Sequence, residues 1–306
     1  MNKYGADLED FADNVDKCTD NLSENLKQGC LGLFLGAGVS AGLKLPSWAV
    51  LVRNCLAEVS PNKKLKLKPT NAELKAVTNI IKGVRPTSDY LDIVKRNLYE
   101  GISLNFSLAN RDLLIPLSSL IVGNTRGNVT NVVTLNFDSV LEWYLMTNGL
   151  SVSVSAKNDL FKKNTDVEVT HLHGFLPYDV SHGDMSDFLI FTKEEFENRD
   201  VQYDYWKVFM EDFYRRNVFL TVGISAESLI DDVCKHLRNL DKWYEDEKIL
   251  RDVPYGYAFI TPESRKSLDK TNKETLLRHG IVPCTLQIPD FPDAIFSIAQ
   301  KAAKGK

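Results

Sequence analysis

The stretch Cys30-Leu-Gly-Leu-Phe-Leu35 followed by Gly36-Ala-Gly-Val-Ser-Ala41 constrains this chain more than any other. A short apolar run that ends on glycines reads as a buried parallel strand. Gly36 to Ala41 then matches G-x-G-x-x-(G/A), and Pro46-Ser47-Trp48 opens a helix predicted over Ala49 to Val59. A glycine-rich turn between strand and helix lets phosphate approach backbone N–H groups, with the helix N-terminus adding positive potential. A tight turn of small residues packed for its own sake is the plainer reading, and the flanking strand and helix favour the nucleotide. Glu58 lies near the spacing of a ribose-binding acid, but it precedes Ser60-Pro61 and a lysine-rich loop. The pattern is therefore not that of a plain dehydrogenase.

Downstream segments repeat the strand-then-helix alternation. Strands are predicted at Val129 to Leu135, Val167 to Leu172, Asn217 to Val222, Tyr255 to Ile260 and Thr285 to Ile288, with a short one at Phe188 to Phe191. Helices are predicted over residues 1 to 28, Ser139 to Met146, Asp204 to Tyr214 and Ala226 to Leu240, with a last helix after the Thr285 to Ile288 strand, running to Lys301. Thr192-Lys-Glu-Glu195 has the form of a capping box. Residues 70 to 122 are mostly helical in pattern. The expected fold is an α/β, Rossmann-like, doubly wound parallel sheet, with residues 28–60 and 123–300 as its core and a helical lobe inserted at approximately 60–122. The whole, 1–306, is expected to be a single domain.

Composition narrows the class. With 306 residues, 25% charged and a net charge of −4, the chain can bury a large core and lacks the basic excess of a nucleic-acid binder. Cys18, Cys30, Cys55, Cys234 and Cys284 are odd in number, widely spaced and without a CxxC pair. They suggest a reducing cytoplasm rather than a disulfide framework or a four-cysteine zinc site. Met1 to Gln28 is too acidic and polar for a secretory signal.

Candidate chemistry sits at strand ends. Asn136 and Asp138 end the second strand, where ligands bind in open α/β sheets. Asp138 fits a helix cap and a ligand contact equally; Asn136, two residues earlier, is better suited to a ribose hydroxyl or a water. His171 and His173 share one face of the next strand. His173, beside Gly174 where the strand stops, is the better base, and His171 reads as structural. A metal site of His171, His173 and His182 lacks carboxylates or cysteines at ligand spacing. Gly223-Ile-Ser225 ends the fourth strand and fits a dinucleotide contact or an ordinary turn equally. Asp231-Asp232 fits a solvated helix face as well as a functional one. Tyr203, Tyr205, Trp206, Phe209 and Phe213 follow helical spacing and suit a core.

Taken together, Gly36-Ala-Gly-Val-Ser40, Thr134-Leu-Asn-Phe-Asp138, His173-Gly174 and Thr221-Val-Gly-Ile-Ser225 resemble the Sir2 (sirtuin) superfamily in order and spacing. The resemblance implies NAD as substrate, with Gly36, Ala37, Gly38 and Ser40 at its phosphates and ribose. Asn136 and Asp138 would lie at the nicotinamide ribose, His173 would be the general base, and Gly223 and Ser225 would approach the adenosine ribose. The deacylases of the superfamily carry a zinc module of two CxxC pairs, which is missing here. Leu45-Pro46-Ser47-Trp48 and Phe191-Thr-Lys-Glu-Glu195 are similar to Sir2-like NADase domains of bacterial anti-phage defence systems. That implies NAD hydrolysis without a metal, in a homo-oligomer or with a partner defence protein such as an ATPase. Protein deacylation, ADP-ribosyl transfer and a non-catalytic NAD- or ADP-ribose-sensing module are the alternatives.

Overall fold

The structure is a computed structural model. It describes residues 8–66, 69–84, 86–102, 113–123, 127–156, 164–179, 189–192, 194–195, 204–234, 237, 254–268 and 270–304. The helix α1 (Val15–Lys27), capped by the Asn14 side chain on Lys17 N, leads into β1 (Leu31–Leu35). Then come α2 (Trp48–Val59), α3 (Asn71–Lys82), α4 (Thr87–Tyr99) and α5 (Leu114–Ile121). The next elements are β2 (Asn131–Thr134), α6 (Val140–Thr147), β3 (Val152–Ser155), β4 (Val167–His171), α7 (Asp204–Arg216) and β5 (Val218–Val222). The chain ends with a one-turn helix α8 (Ala226–Ser228), β6 (Gly256–Ile260), α9 (Pro262–Ser267), α10 (Lys270–Arg278), β7 (Ile281–Thr285) and α11 (Phe291–Lys304).

All seven strands pair in parallel, in the order β3-β4-β2-β1-β5-β6-β7. From β1 the chain winds to one side through β2, β3 and β4, then crosses to the other for β5, β6 and β7. The winding therefore reverses between β1 and β5, and a crevice opens there at the carboxyl ends of the strands. The central strands β1, β5 and β6 are buried at every residue, which is why they read as continuous apolar runs. One face of the sheet packs α1, α5, α6 and α11; the other packs α7, the turn after α8, and α10. Helices α3 and α4 pack on α2, whereas α5 packs on α11.

The sheet departs from expectation in four places. The edge strand β3 is absent from the sequence reading: Ser151-Val-Ser-Val-Ser155 is polar at every second residue, with Val152 and Val154 only half buried. Residues 189 to 191, expected to be a strand, are irregular. The last strand is Ile281–Thr285, displaced toward the N-terminus, and Ile288–Asp290 is a 3-10 turn. Of the helix predicted over Ala226 to Leu240, the described part is α8 continued by a π-turn over Leu229–Cys234, with Leu237 helical beyond it; 235, 236 and 238–240 lie outside the described residues. Of the aromatic set, Phe213 is buried against Tyr214 and Phe219. Tyr203 and the side chains of Tyr205 and Trp206 lie outside the described residues, as does His182.

Glu58 is no ribose ligand. It pairs with Arg96 and accepts from Asn97 Nδ2 at 2.7 Å, tying α2 to α4. Thr192 and Glu195 form the expected reciprocal cap: Glu195 Oε2 accepts from Thr192 N at 2.9 Å, and Glu195 N donates to Thr192 Oγ1 at 3.3 Å. Glu195 also pairs with Lys82 at the end of α3. No helix among the described residues is long and apolar enough to cross a membrane.

Candidate active site at the winding reversal

The glycine loop does not lead straight into a helix. Ala37–Val39 and Ala41–Leu43 form two 3-10 turns, Lys44 takes a left-handed conformation (φ 66°), and α2 starts only at Trp48. Any anion held at this loop therefore faces backbone amides of the loop, not the N-terminus of α2. The glycines answer a different demand as well. Gly38 N donates to Gly223 O at 3.0 Å, and Gly36 N donates to Val222 O at 3.0 Å. A Cβ on Gly38 would stand 2.6 Å from Gly223 Cα, and one on Gly36 would stand 2.5 Å from Gly223 O. Gly223 itself has φ +75°, where a side chain is strained. Three glycines thus let the β1 and β5 loops touch backbone to backbone across the winding reversal.

Above them lies a cleft of about 480 Å³. Gly36, Ala37, Gly38, Asn136, Asp138, His173, Gly223 and Ser225 all line it, so eight of the nine sequence-predicted site residues converge on one opening. The ninth, Ser40, is buried behind the loop. Its Oγ donates to Asp138, 2.9 Å from Oδ1 and 3.1 Å from Oδ2. Trp48 and Phe137 close one wall, each packed on Phe191 (ring centroids 5.0 and 6.2 Å). Phe191 is fully buried, which explains why that segment matters to the site without reaching it.

Asn136 is held by its surroundings. Its backbone N–H donates to Thr134 Oγ1 at 3.1 Å, and its Nδ2 donates to Gly36 O at 3.2 Å. Asp138 makes a cap-like contact, its Oδ1 accepting from Val140 N at 3.1 Å at the start of α6, and the residue also lines the cleft. Burial pushes the Asp138 carboxyl up to about 6, and the nearby Glu142 charge adds to that rise.

His173 is 6% exposed. Its Nε2 lies 3.7 Å from Asp232 Oδ1, an ion-pair distance rather than a hydrogen bond. Asp232 was ambiguous in the sequence because a regular helix there would present it to solvent. It lies in the π-turn, 6% exposed in the lining of the cleft, a placement that regular helical periodicity does not give. The cleft also carries Glu227 and Asp231 at its mouth, and no lysine or arginine among the described residues that line it. Among the described residues no group of three or more His, Cys, Asp or Glu is placed to hold a metal ion.

His171 is fully buried behind this surface. Its Nδ1 lies 2.7 Å from Asn136 O and its Nε2 lies 2.6 Å from Glu142 Oε1. Burial opposes charge on the ring, but Glu142 outweighs it and holds the histidine above its ordinary range.

No curated protein matches the chain. The SIR2-like domain family matches residues 130–280, a span that carries Asn136, Asp138, His173, Gly223 and Ser225. The glycine loop lies outside that span and is joined to it by the Gly38–Gly223, Gly36–Asn136 and Ser40–Asp138 contacts. With Asn136, Asp138, His173, Gly223 and Ser225 of the matched span gathered at one cleft of a parallel sheet, the chain carries a SIR2-like domain, of the Sir2 superfamily whose domains use NAD.

Proposed function

We propose that this protein is an NAD glycohydrolase, cleaving the nicotinamide–ribose bond to nicotinamide and ADP-ribose. The observation that carries the reading is the presence of Asn136 and His173 in one cleft with the glycine loops. Water attacks C1′ of the ribose as the C–N bond breaks. The bond's electron pair leaves with nicotinamide, which is a good leaving group because the bound ring is cationic. The water's proton passes to the His173 imidazole and then to solvent. Asp232 balances the imidazolium that forms. Asn136 orients the water or the ribose hydroxyls, and the glycine loops bind the substrate away from the reacting carbon. The acidic cleft suits a substrate whose reacting end is positive.

Such an activity would deplete NAD, which fits the anti-phage role implied by the defence-type segments, and it would have to be restrained by assembly or a partner. Incubating the purified protein with NAD and following nicotinamide and ADP-ribose tests the reading, with binding measured in parallel by calorimetry. His173→Ala is expected to lose roughly 10²–10⁴-fold in rate while retaining NAD binding. Undiminished turnover in that variant would remove His173 from the role of base. A wild-type protein that does not bind NAD would remove the reading altogether.

A further inference from the structure

Behind the cleft lies a buried His–Glu pair that the hydrolysis scheme does not use. His171 is 0% exposed and Glu142, on α6, is 1% exposed. The carbonyl oxygen of Asn136 can only accept, so the His171 Nδ1 that faces it at 2.7 Å carries a proton. A second proton lies between Nε2 and Glu142 Oε1, 2.6 Å apart, whichever of the two atoms owns it. The ring is thus fixed at both edges, and Phe175 packs against it with centroids 4.5 Å apart. Asp138, in the turn before α6, is the other charge acting on it.

This arrangement is not what stability alone would select. Glu142 Oε2 is buried with no hydrogen-bond partner among the described residues. Replacing a buried ion pair by apolar residues of similar volume is often neutral or stabilising. What the pair does supply is a fixed position for the Asn136 carbonyl. Asn136 is then gripped at three groups: carbonyl by His171, N–H by Thr134, and side-chain amide by Gly36 O and, at 3.4 Å, Ser40 Oγ.

We propose that the His171–Glu142 pair is a positioning element that aims the Asn136 side chain into the cleft. The proposal rests on the reading of Asn136 as the residue that orients water or ribose. His171 touches no substrate in this scheme; it acts through Asn136. Misplacing a catalytic group by about 1 Å can cost roughly 10²-fold in rate.

Side-chain geometry separates the two contacts. The Nδ2 of an asparagine at 171 falls near the present Nδ1, and the Nε2 of a glutamine falls near the present Nε2. His171→Gln therefore keeps the Glu142 contact and drops the Asn136 carbonyl. The double variant His171→Asn, Glu142→Gln keeps the carbonyl contact and discards the ion pair. We expect His171→Gln to lose roughly 10–10²-fold in kcat with KM little changed, and the double variant to recover most of that loss. The second readout is hydrogen exchange of the Asn136 side-chain amide, followed by NMR with 15N-asparagine and assigned by its disappearance in Asn136→Asp. Exchange should quicken at least tenfold in His171→Gln and slow again in the double variant. Wild-type kcat and unchanged amide exchange in a folded His171→Gln overturn the proposal. If wild type binds NAD without cleaving it, the hydrolysis reading fails on its own, and the amide exchange still decides the positioning. Should His171→Gln not fold, Glu142→Gln alone carries the test: kcat falling several-fold with faster amide exchange supports the proposal, and no change in either overturns it.

Discussion

His173, just past the end of β4, and Asp232, in the π-turn that follows β5 and α8, lie side by side in the lining of the cleft, with 3.7 Å between Nε2 and Oδ1. The connections that follow two strands on opposite sides of β1 thus supply one His–Asp pair to the cleft. A charge pair about 4 Å apart at an effective dielectric near 20 interacts by up to about 4 kcal/mol, and water at the cleft mouth reduces that. Asp232→Asn keeps the volume and removes the charge that steadies the imidazolium. It is expected to lower kcat for NAD roughly 10–100-fold while leaving the NAD dissociation constant within a fewfold of wild type. Steady-state kinetics with calorimetry would check this, and an unchanged kcat would mean that the couple is only structural.

Asp138 should leave a signature in the pH dependence of stability. Its carboxyl is raised from 3.8 to about 6, chiefly by burial. Between about pH 4 and pH 6 the folded chain then holds a proton that the unfolded chain has released. Stability falls as pH rises through that window and stays flat with respect to this group above it. Asp138→Asn removes the buried charge while leaving an oxygen for Val140 N. The variant is expected to be more stable than wild type at pH 8, by about 1–3 kcal/mol, and to show no such gain at pH 4. Thermal unfolding at the two pH values measures the difference. Equal destabilisation at both would show that the bonds to Ser40 and Val140 outweigh burial.

The contact between Gly38 and Gly223 makes another forecast. An added Cβ at Gly38 meets backbone rather than a flexible side chain, so nothing can rotate away. Gly38→Ala should push the β1 and β5 loops apart, costing about 1–3 kcal/mol in stability and weakening NAD binding at least tenfold. Gly149, also in a left-handed turn (φ +86°), has open space around its Cα and lies away from the cleft. Gly149→Ala is the control: it should cost stability through backbone strain while leaving NAD binding unchanged. Binding equally weakened in both would indicate general loosening, not loop separation.

These contacts also explain what the sequence could and could not disclose. Strand ends were legible because β1, β2, β4 and β5 are buried runs whose last residues must face the cleft, so Asn136, His173 and Gly223 could be placed from pattern alone. Edge strand β3 was not, since Ser153 and Ser155 are the buried residues and its valines are half exposed, inverting the usual alternation. Asp232 was missed because its burial depends on a π-turn, which no helical period encodes. His171 was read as structural, and it is buried; its bonds to Asn136 O and Glu142 join residues 35 and 29 positions away, beyond any local pattern. The glycine motif pointed to this cleft for an incomplete reason. Its glycines serve loop-to-loop packing, and the helix invoked to hold phosphate begins at Trp48.

The acidic cleft mouth bears on which dinucleotide is taken. Glu227 and Asp231 are exposed there, next to Gly223 and Ser225, where the superfamily resemblance puts the adenosine ribose. NADP differs from NAD by a phosphate on that ribose, adding close to two negative charges. No lysine or arginine among the described cleft residues offsets them. A unit charge pair about 8 Å apart at an effective dielectric near 20 repels by about 2 kcal/mol before screening by salt. NADP should therefore bind at least tenfold more weakly than NAD at low ionic strength, with the gap narrowing as salt is added. Glu227→Gln with Asp231→Asn should narrow it further, by strengthening NADP binding more than NAD binding. Competition calorimetry at two salt concentrations measures all of these effects. Equal affinity for the two dinucleotides in wild type would mean that the adenosine ribose sits away from this acidic rim.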